Sequence, residues 1–164
     1  MSQPAAAHDR SAGPTPSELV VMGGGEGTFL FPDGLLGFED ARRFILAPAH
    51  REGLYWLQSL DHSSLAFLLC DPFLFVEGFV VDLGPRELTG DFGGSREQLA
   101  VLTIVTLPGE AGVQATANLQ GPVLFDFDTG KARQVALADS SWGVRHPVDL
   151  RRGRVEPAPI QTGT

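Results

Sequence analysis

A single cysteine, a single lysine and no apolar run of membrane-spanning length set the first limits on this chain. With Cys70 alone, an internal disulfide and any multi-cysteine metal site are excluded. Cys70 ends the apolar run 65–70, so a buried, inert thiol is expected, which suits a reducing compartment. No apolar stretch approaches the roughly 18–20 residues of a membrane span. The start of the chain, Met1 to Thr15, is Ala, Pro, Ser and Gly with His8, Asp9 and Arg10, and lacks the apolar core of a signal peptide. These features predict a cytoplasmic protein. Heptads, long stretches of 3.6-residue periodicity and repeats at solenoid spacing are also missing.

Catalytic signatures are equally scarce. His8, His50, His62 and His146 form neither an H-x-H nor an H-E-x-x-H pair, and all fall in predicted loops or tails. Ser59 and the Ser63-Ser64 pair lack a G-x-S-x-G context, and Cys70 has no evident base. The glycines of 23–27 are followed by a predicted strand and no G-K-[ST], so the geometry of a phosphate loop is absent. Asp126 and Asp128 with Gly130 supply too few ligands for a calcium loop and read as a hairpin turn in which Gly130 takes positive φ. The expectation is therefore a protein with no catalytic residue, cofactor or metal.

What the chain does have is acidic charge and short apolar strands. Residues 1–150 carry nine Lys and Arg against nineteen Asp and Glu, a balance of −10, while 151–164 carries three Arg against one Glu. A body this acidic repels phosphate backbones, which argues against direct nucleic-acid binding, and it complements a basic protein partner. The same charge also serves solubility. Strands are expected at 18–22, 28–31, 44–47, 54–60, 65–70, 79–83, 100–107, 113–120, 123–127 and 133–137, with a short helical turn at 39–43 and another within the loop 85–98. Asp61 to Ser64 connects a hairpin, and Asp71-Pro72 stops the ladder because proline cannot donate to it. The run 100–107 is apolar throughout and suits a strand covered on both faces. Apolar residues at every odd position of 113–120 mark one buried face.

This pattern predicts a mainly β, all-β fold: a small antiparallel β-barrel-like domain over 18–150, with a disordered tail at 1–17 and a flexible Arg- and Pro-containing tail at 151–164. On the pattern alone, an alternative is a ligand-binding or metal-dependent small barrel of cupin or lipocalin type, betrayed by a deep polar pocket.

Five segments carry a resemblance. They are the 31–39 loop Phe-Pro-Asp-Gly-Leu-Leu-Gly-Phe-Glu, the hairpin from Gln58-Ser59-Leu60-Asp61 to Phe67, Asp71-Pro72, the block from Asn118 to Asp126, and 134–139. In this order and at these separations, from about Phe29 to Val148, they resemble the flagellar assembly factor FliW family. The resemblance implies a small β-barrel-like regulator that binds flagellin in the cytoplasm. When free of flagellin, it binds the translational repressor called carbon storage regulator and relieves repression of flagellin mRNA. No chemistry is involved, and a monomer is expected when free. The chain departs from the family pattern at Gly121, usually Ala, at Asp126, usually Asn, and at Trp142, commonly Tyr.

Candidate partner-binding residues are Gln58, Asp61 and Asp71, placed at the ends of one hairpin as an acidic contact surface, together with Asn118 and Asp126. Phe73, Phe75 and Phe79 are candidate exposed aromatic anchors, whose alternative role is ordinary core. Gly34, Gly37, Phe38, Pro72, Pro122, Gln134 and Asp139 are read as structural motif residues.

Overall fold

In a computed structural model, residues 27–81, 83, 99–108, 114–137 and 141–151 are described. The expected strand at 18–22, the loop 85–98, both terminal tails beyond these bounds, and Asp139 lie outside them. The described elements are β1 (Gly27–Leu30), β2 (Arg43–Pro48), β3 (Leu54–Ser59), β4 (Ala66–Cys70), α1 (Pro72–Phe75), β5 (Leu99–Thr106), β6 (Thr116–Ala117), β7 (Val123–Asp126), β8 (Lys131–Gln134) and β9 (His146–Pro147).

The strands hydrogen-bond in the order β4-β3-β2-β1-β8-β7-β5, and β4 pairs again with β5, so seven strands close into a barrel. The closing register sets Leu68 against Val105, Leu69 against Ile104 and Cys70 against Thr103. β6 and β9 continue outward from β5. Among the described residues every strand pairing is antiparallel except one: β1 meets β8 in parallel, through the pair Leu30–Lys131.

Alternation of side chains across each strand divides the core into two layers. Inside the barrel lie Phe29, Phe44, Leu46, Tyr55, Leu57, Leu69, Ala100, Leu102, Val123, Phe125 and Ala132, joined from the end by Phe31, Leu35 and Ala41. Phe29 and Phe31 each meet Phe125 edge to face, with centroids 5.1 and 5.9 Å apart, and Phe31 meets Phe44 at 5.0 Å. Among the described residues the interior is lined by these rings and by aliphatic side chains, an apolar lining unlike the deep polar pocket that a cupin or lipocalin reading requires.

A second layer covers the outside of β4, β5 and β7. Leu68, Cys70, Val101, Val105 and Leu124 point outward there, under Leu74, Phe75, Val76, Phe79, Val81, Leu119, Val135, Leu137 and Val148. β5 is thus sandwiched, with Ala100 and Leu102 inside and Val101 and Val105 under the cover. That double burial is the physical reason for its largely apolar sequence, in which Thr103 is a buried polar residue.

Cys70 is fully buried, and its Sγ lies 3.2 Å from Thr103 Oγ1. Burial pushes the thiol up to about 12, against a smaller downward pull from the Thr103 hydrogen bond. The expected burial of this thiol is what the fold shows.

Several elements differ from expectation. No helical turn forms at 39–43; a turn there leads directly into β2. The helix among the described residues is α1, where Asp71 is the N-cap, its side chain accepting from Phe73 N, and Pro72 stands in the first turn. Asp-Pro is a helix-start signal as well as a ladder stop, because proline's missing N–H costs nothing at the first helical position. Residues 79–81 and 83 form no strand; Phe79, Val81 and Leu83 are buried and Val80 is exposed, so the alternation serves as cover over the barrel wall. Of the described residues 114–120 only β6 joins a ladder, although Ala115, Ala117 and Leu119 are buried as the alternation demands. β8 starts earlier than the expected 133–137. Val135 and Leu137 follow it, donating instead to Pro122 O and Gln120 O.

Candidate functional site

The barrel has two ends, fixed by strand direction. One end gathers the β1–β2 loop (31–42), the β3–β4 loop (60–65), the start of β7 and the end of β8. The other carries the β2–β3 turn, α1 and the β7–β8 turn. Gly34, Gly37, Phe38, Gln58, Asp61, Asn118, Pro122 and Gln134 all belong to the first end, so residues of four of the five segments that carry the family resemblance meet there, while Asp71-Pro72 lies at the other end.

The 31–42 loop is built tightly. Phe31 and Leu35 anchor it in the interior, and Leu35 and Phe38 exchange backbone hydrogen bonds. Gly34 has φ +68°, and a Cβ there would lie 2.6 Å from Glu39 Cα, so only glycine fits. Gly37 has φ +89°, and its N–H donates to Glu39 Oε2. Between these two glycines, Leu35 turns in while Leu36 is 64% exposed. Phe38 is 40% exposed and rests one edge on Phe67, at a centroid distance of 5.3 Å.

Three polar side chains hold this loop and its neighbours. Gln134 Oε1 accepts from Leu36 N at 3.0 Å, while its Nε2 donates to Gly121 O at 3.0 Å. Asn118 Oδ1 accepts from Gln120 N and Gly121 N, closing the turn before Pro122. Gly121 lacks a Cβ that would stand 3.0 Å from Asn118 Nδ2 and 3.2 Å from Gln134 Nε2. Asp61 Oδ2 accepts from Arg42 N and Arg43 N at 2.8 and 3.0 Å, and its Oδ1 meets the Arg43 guanidinium at 2.9 Å. These bonds, backbone first and guanidinium second, lower the Asp61 carboxyl to about 2. Gln58 Nε2 lies within hydrogen-bond distance of Ser59 O, Ser63 O and Leu65 O, bracing the adjacent hairpin loop.

The candidate acidic surface does not assemble as expected. Gln58 and Asp61 share the loop end, but Asp71 follows the far end of β4, where Cys70 pairs with Leu54, and is itself buried. Its carboxylate is spent on the helix cap. Phe75 and Phe79 are buried in the outer layer and cannot serve as exposed anchors. Phe73 is half-buried against Phe79, which in turn stacks toward Trp142. Asp126 is fully buried at the other end, its Oδ1 accepting from Asp128 N and Thr129 N, while Gly130 takes φ +77° in the expected hairpin turn.

Leu36 escaped the sequence reading. Its signal was the Leu35-Leu36 doublet inside a tight turn, where two adjacent side chains cannot both face the core. Around it stand the exposed acids Asp33, Glu39 and Asp40, and Leu60 is 43% exposed on the neighbouring loop. His62 Nε2 lies 3.5 Å from Asp40 Oδ2. Among the described residues, no group of three His, Cys, Asp or Glu could hold a metal ion.

A packed seven-strand barrel whose polar motif side chains brace a solvent-facing apolar tip is a scaffold that displays a surface. The chain belongs to the FliW family: the family model described as "FliW protein" matches residues 23–148. It is 41% identical over 124 residues to the flagellar assembly factor FliW of Syntrophotalea carbinolica, covering 75% of this chain and 87% of that protein. The corresponding protein of Treponema denticola is 38% identical over 116 residues, 71% of this chain and 78% of that one. A solved crystal structure of the flagellar assembly factor FliW superposes with a TM-score of 0.62 at 25% identity, over 74% of this chain and 84% of that chain. These relatives are named as assembly factors, not as enzymes.

Proposed function

We propose that this chain is a non-enzymatic, cytoplasmic flagellar assembly factor that works by partner switching. It binds flagellin; once flagellin leaves, it binds and antagonises the translational repressor carbon storage regulator, and so couples flagellin synthesis to flagellum assembly. The free protein is a monomer, and it acts on RNA only through the repressor.

The observation that carries this reading is the loop end of the barrel. There Gln134, Asn118 and Asp61 hold a tip on which Leu36 and Phe38 face water. Leu36 and Phe38, with Leu60 on the neighbouring loop, offer exposed apolar side chains that a partner could cover. The acidic body supplies the complementary field for a basic partner.

The test is calorimetric titration of the purified chain, first with the host's flagellin monomer and then with its carbon storage regulator. Saturable binding to each is the expected result. Binding to flagellin alone would reduce the protein to a chaperone, and binding to neither would refute the proposal.

A further inference from the structure

We propose that the apolar run Leu19-Val20-Val21-Met22 folds back over the outer wall of β1, β2 and β3 and covers Trp56. The chain then coats its own barrel on both sides. This inference concerns the chain alone and goes beyond partner switching.

The barrel wall has a covered half and an open half. Outside β4, β5 and β7, Leu68, Val101 and Leu124 lie under the chain's own segments. Outside β1, β2 and β3, Leu30, Ile45, Ala47 and Trp56 belong to neither apolar layer. Strand register sets them side by side: Trp56 stands opposite both Ala47 and Leu68, and Ile45 lies between Thr28 and Gln58. Trp56 and Leu30 are each 43% exposed. Ala66, opposite Gln58, is exposed as well.

None of the outward positions of β1, β2 and β3 carries a carboxylate, although the chain has twenty Asp and Glu. The two polar groups that could hydrate the strip are engaged elsewhere. Arg43 is held by Asp61 at 2.9 Å, and Gln58 braces its own hairpin loop. In composition the strip matches the covered half of the wall, not the acidic surface of the rest of the molecule.

Length and placement select the occupant. β1 begins at Gly27, which pairs with Leu46, the neighbour of Ala47. Met22 precedes Gly27 by five residues, a reach of roughly 17 Å. Trp56 is two strands over from β1, about 10 Å at ordinary strand spacing. Between the two, Gly23-Gly24-Gly25 lets the backbone reverse without a steric penalty. Outside the described residues, 19–22 is also the one stretch with four consecutive large apolar side chains. Those side chains gain by leaving water, and Trp56 is the largest of the exposed apolar residues.

The experiment uses the full-length chain with Trp142→Phe, which leaves Trp56 as its only tryptophan. Emission and acrylamide quenching of Trp56 are compared with and without the pair Val20→Asp and Val21→Asp. Circular dichroism establishes that both chains are folded, and light scattering gives their mass. The parent is expected to show blue-shifted, weakly quenched emission, and the aspartate pair to shift it to the red and raise the quenching, both as monomers. A second readout leaves the run 19–22 intact. A nitroxide on Ser17→Cys, with Cys70 buried and unlabelled, is expected to broaden the Trp56 indole N–H resonance. Equal quenching in the two chains, or an unbroadened Trp56 signal, overturns the assignment. Protection that disappears as a dimer dissociates on dilution would make the cover a second copy, and overturns it equally. Neither flagellin nor repressor enters these measurements, so their failure is distinct from failure of the proposed function.

Discussion

Gln134 and Leu36 lie far apart in sequence and share one hydrogen bond, from Leu36 N to Gln134 Oε1 at 3.0 Å. Gln134 is the last residue of β8, and Leu36 sits in the loop that follows β1. β1 and β8 meet in parallel, through the pair Leu30 and Lys131. Beyond that pair the chains diverge, and the glutamine side chain spans the gap where backbone ladder bonds stop.

Replacing Gln134 with Leu should therefore cost more than a surface change. The exposed Leu36 N–H and the partly buried Gly121 C=O lose their partner. A destabilisation of about 1 kcal/mol is expected, read as a lower urea midpoint with an unchanged m-value.

Gly34 and Gly37 both have positive φ but should respond differently to alanine. At Gly34 the new Cβ meets the Glu39 backbone at 2.6 Å, whereas at Gly37 nothing lies within 4 Å. Gly37→Ala should cost about 1 kcal/mol from conformation alone. Gly34→Ala must also displace backbone and should cost clearly more, visible as a larger fall in melting temperature.

Asp61 makes stability depend on acid. Its folded carboxyl is lowered from 3.8 to about 2. The group thus binds more protons in the unfolded chain as pH falls, and its contribution is intact above about pH 5 and lost progressively as pH falls toward and below 2. The gap in urea midpoint between wild type and Asp61→Ala should be constant from pH 7 to 5 and shrink between pH 4 and 2. A gap that stayed constant through that range would remove the carboxylate charge from the explanation.

Much of the barrel was legible from the sequence, for identifiable reasons. The β5 run is largely apolar because the fold covers both its faces, and the odd-position alternation around β6 reports burial on one side. The Asp126–Gly130 turn followed from the glycine's tolerance of positive φ. Where burial and backbone pairing part company, periodicity misleads. Phe79, Val81 and Leu83 alternate like a strand yet form no ladder, because their apolar faces lie on the barrel wall.

The site was read less well. Motif residues such as Gln58, Asp61 and Asn118 carry polar side chains that look available to a partner, but their groups are engaged by local backbone. Aromatic residues after a strand end look like anchors, but Phe75 and Phe79 close the outer core. Asp71 was separated from Asp61 by nothing more than the antiparallel register of β3 and β4, which sets the two at opposite ends of the hairpin.

Cys70 should be silent to thiol reagents in the native state. It is fully buried, and its thiol is pushed up to about 12. Labelling with a chromogenic disulfide at pH 8 should be negligible until denaturant is added, and should then reach one equivalent per chain. Rapid native labelling would place an opening at the β4–β5 closure of the barrel.

The central claim is that this barrel exchanges partners, and displacement tests it most directly. The complex of the full-length chain with carbon storage regulator is formed first and then titrated with flagellin monomer, while free repressor is followed. The account predicts stoichiometric release of the repressor as flagellin binds. A stable ternary complex, or a repressor that never bound, would contradict it.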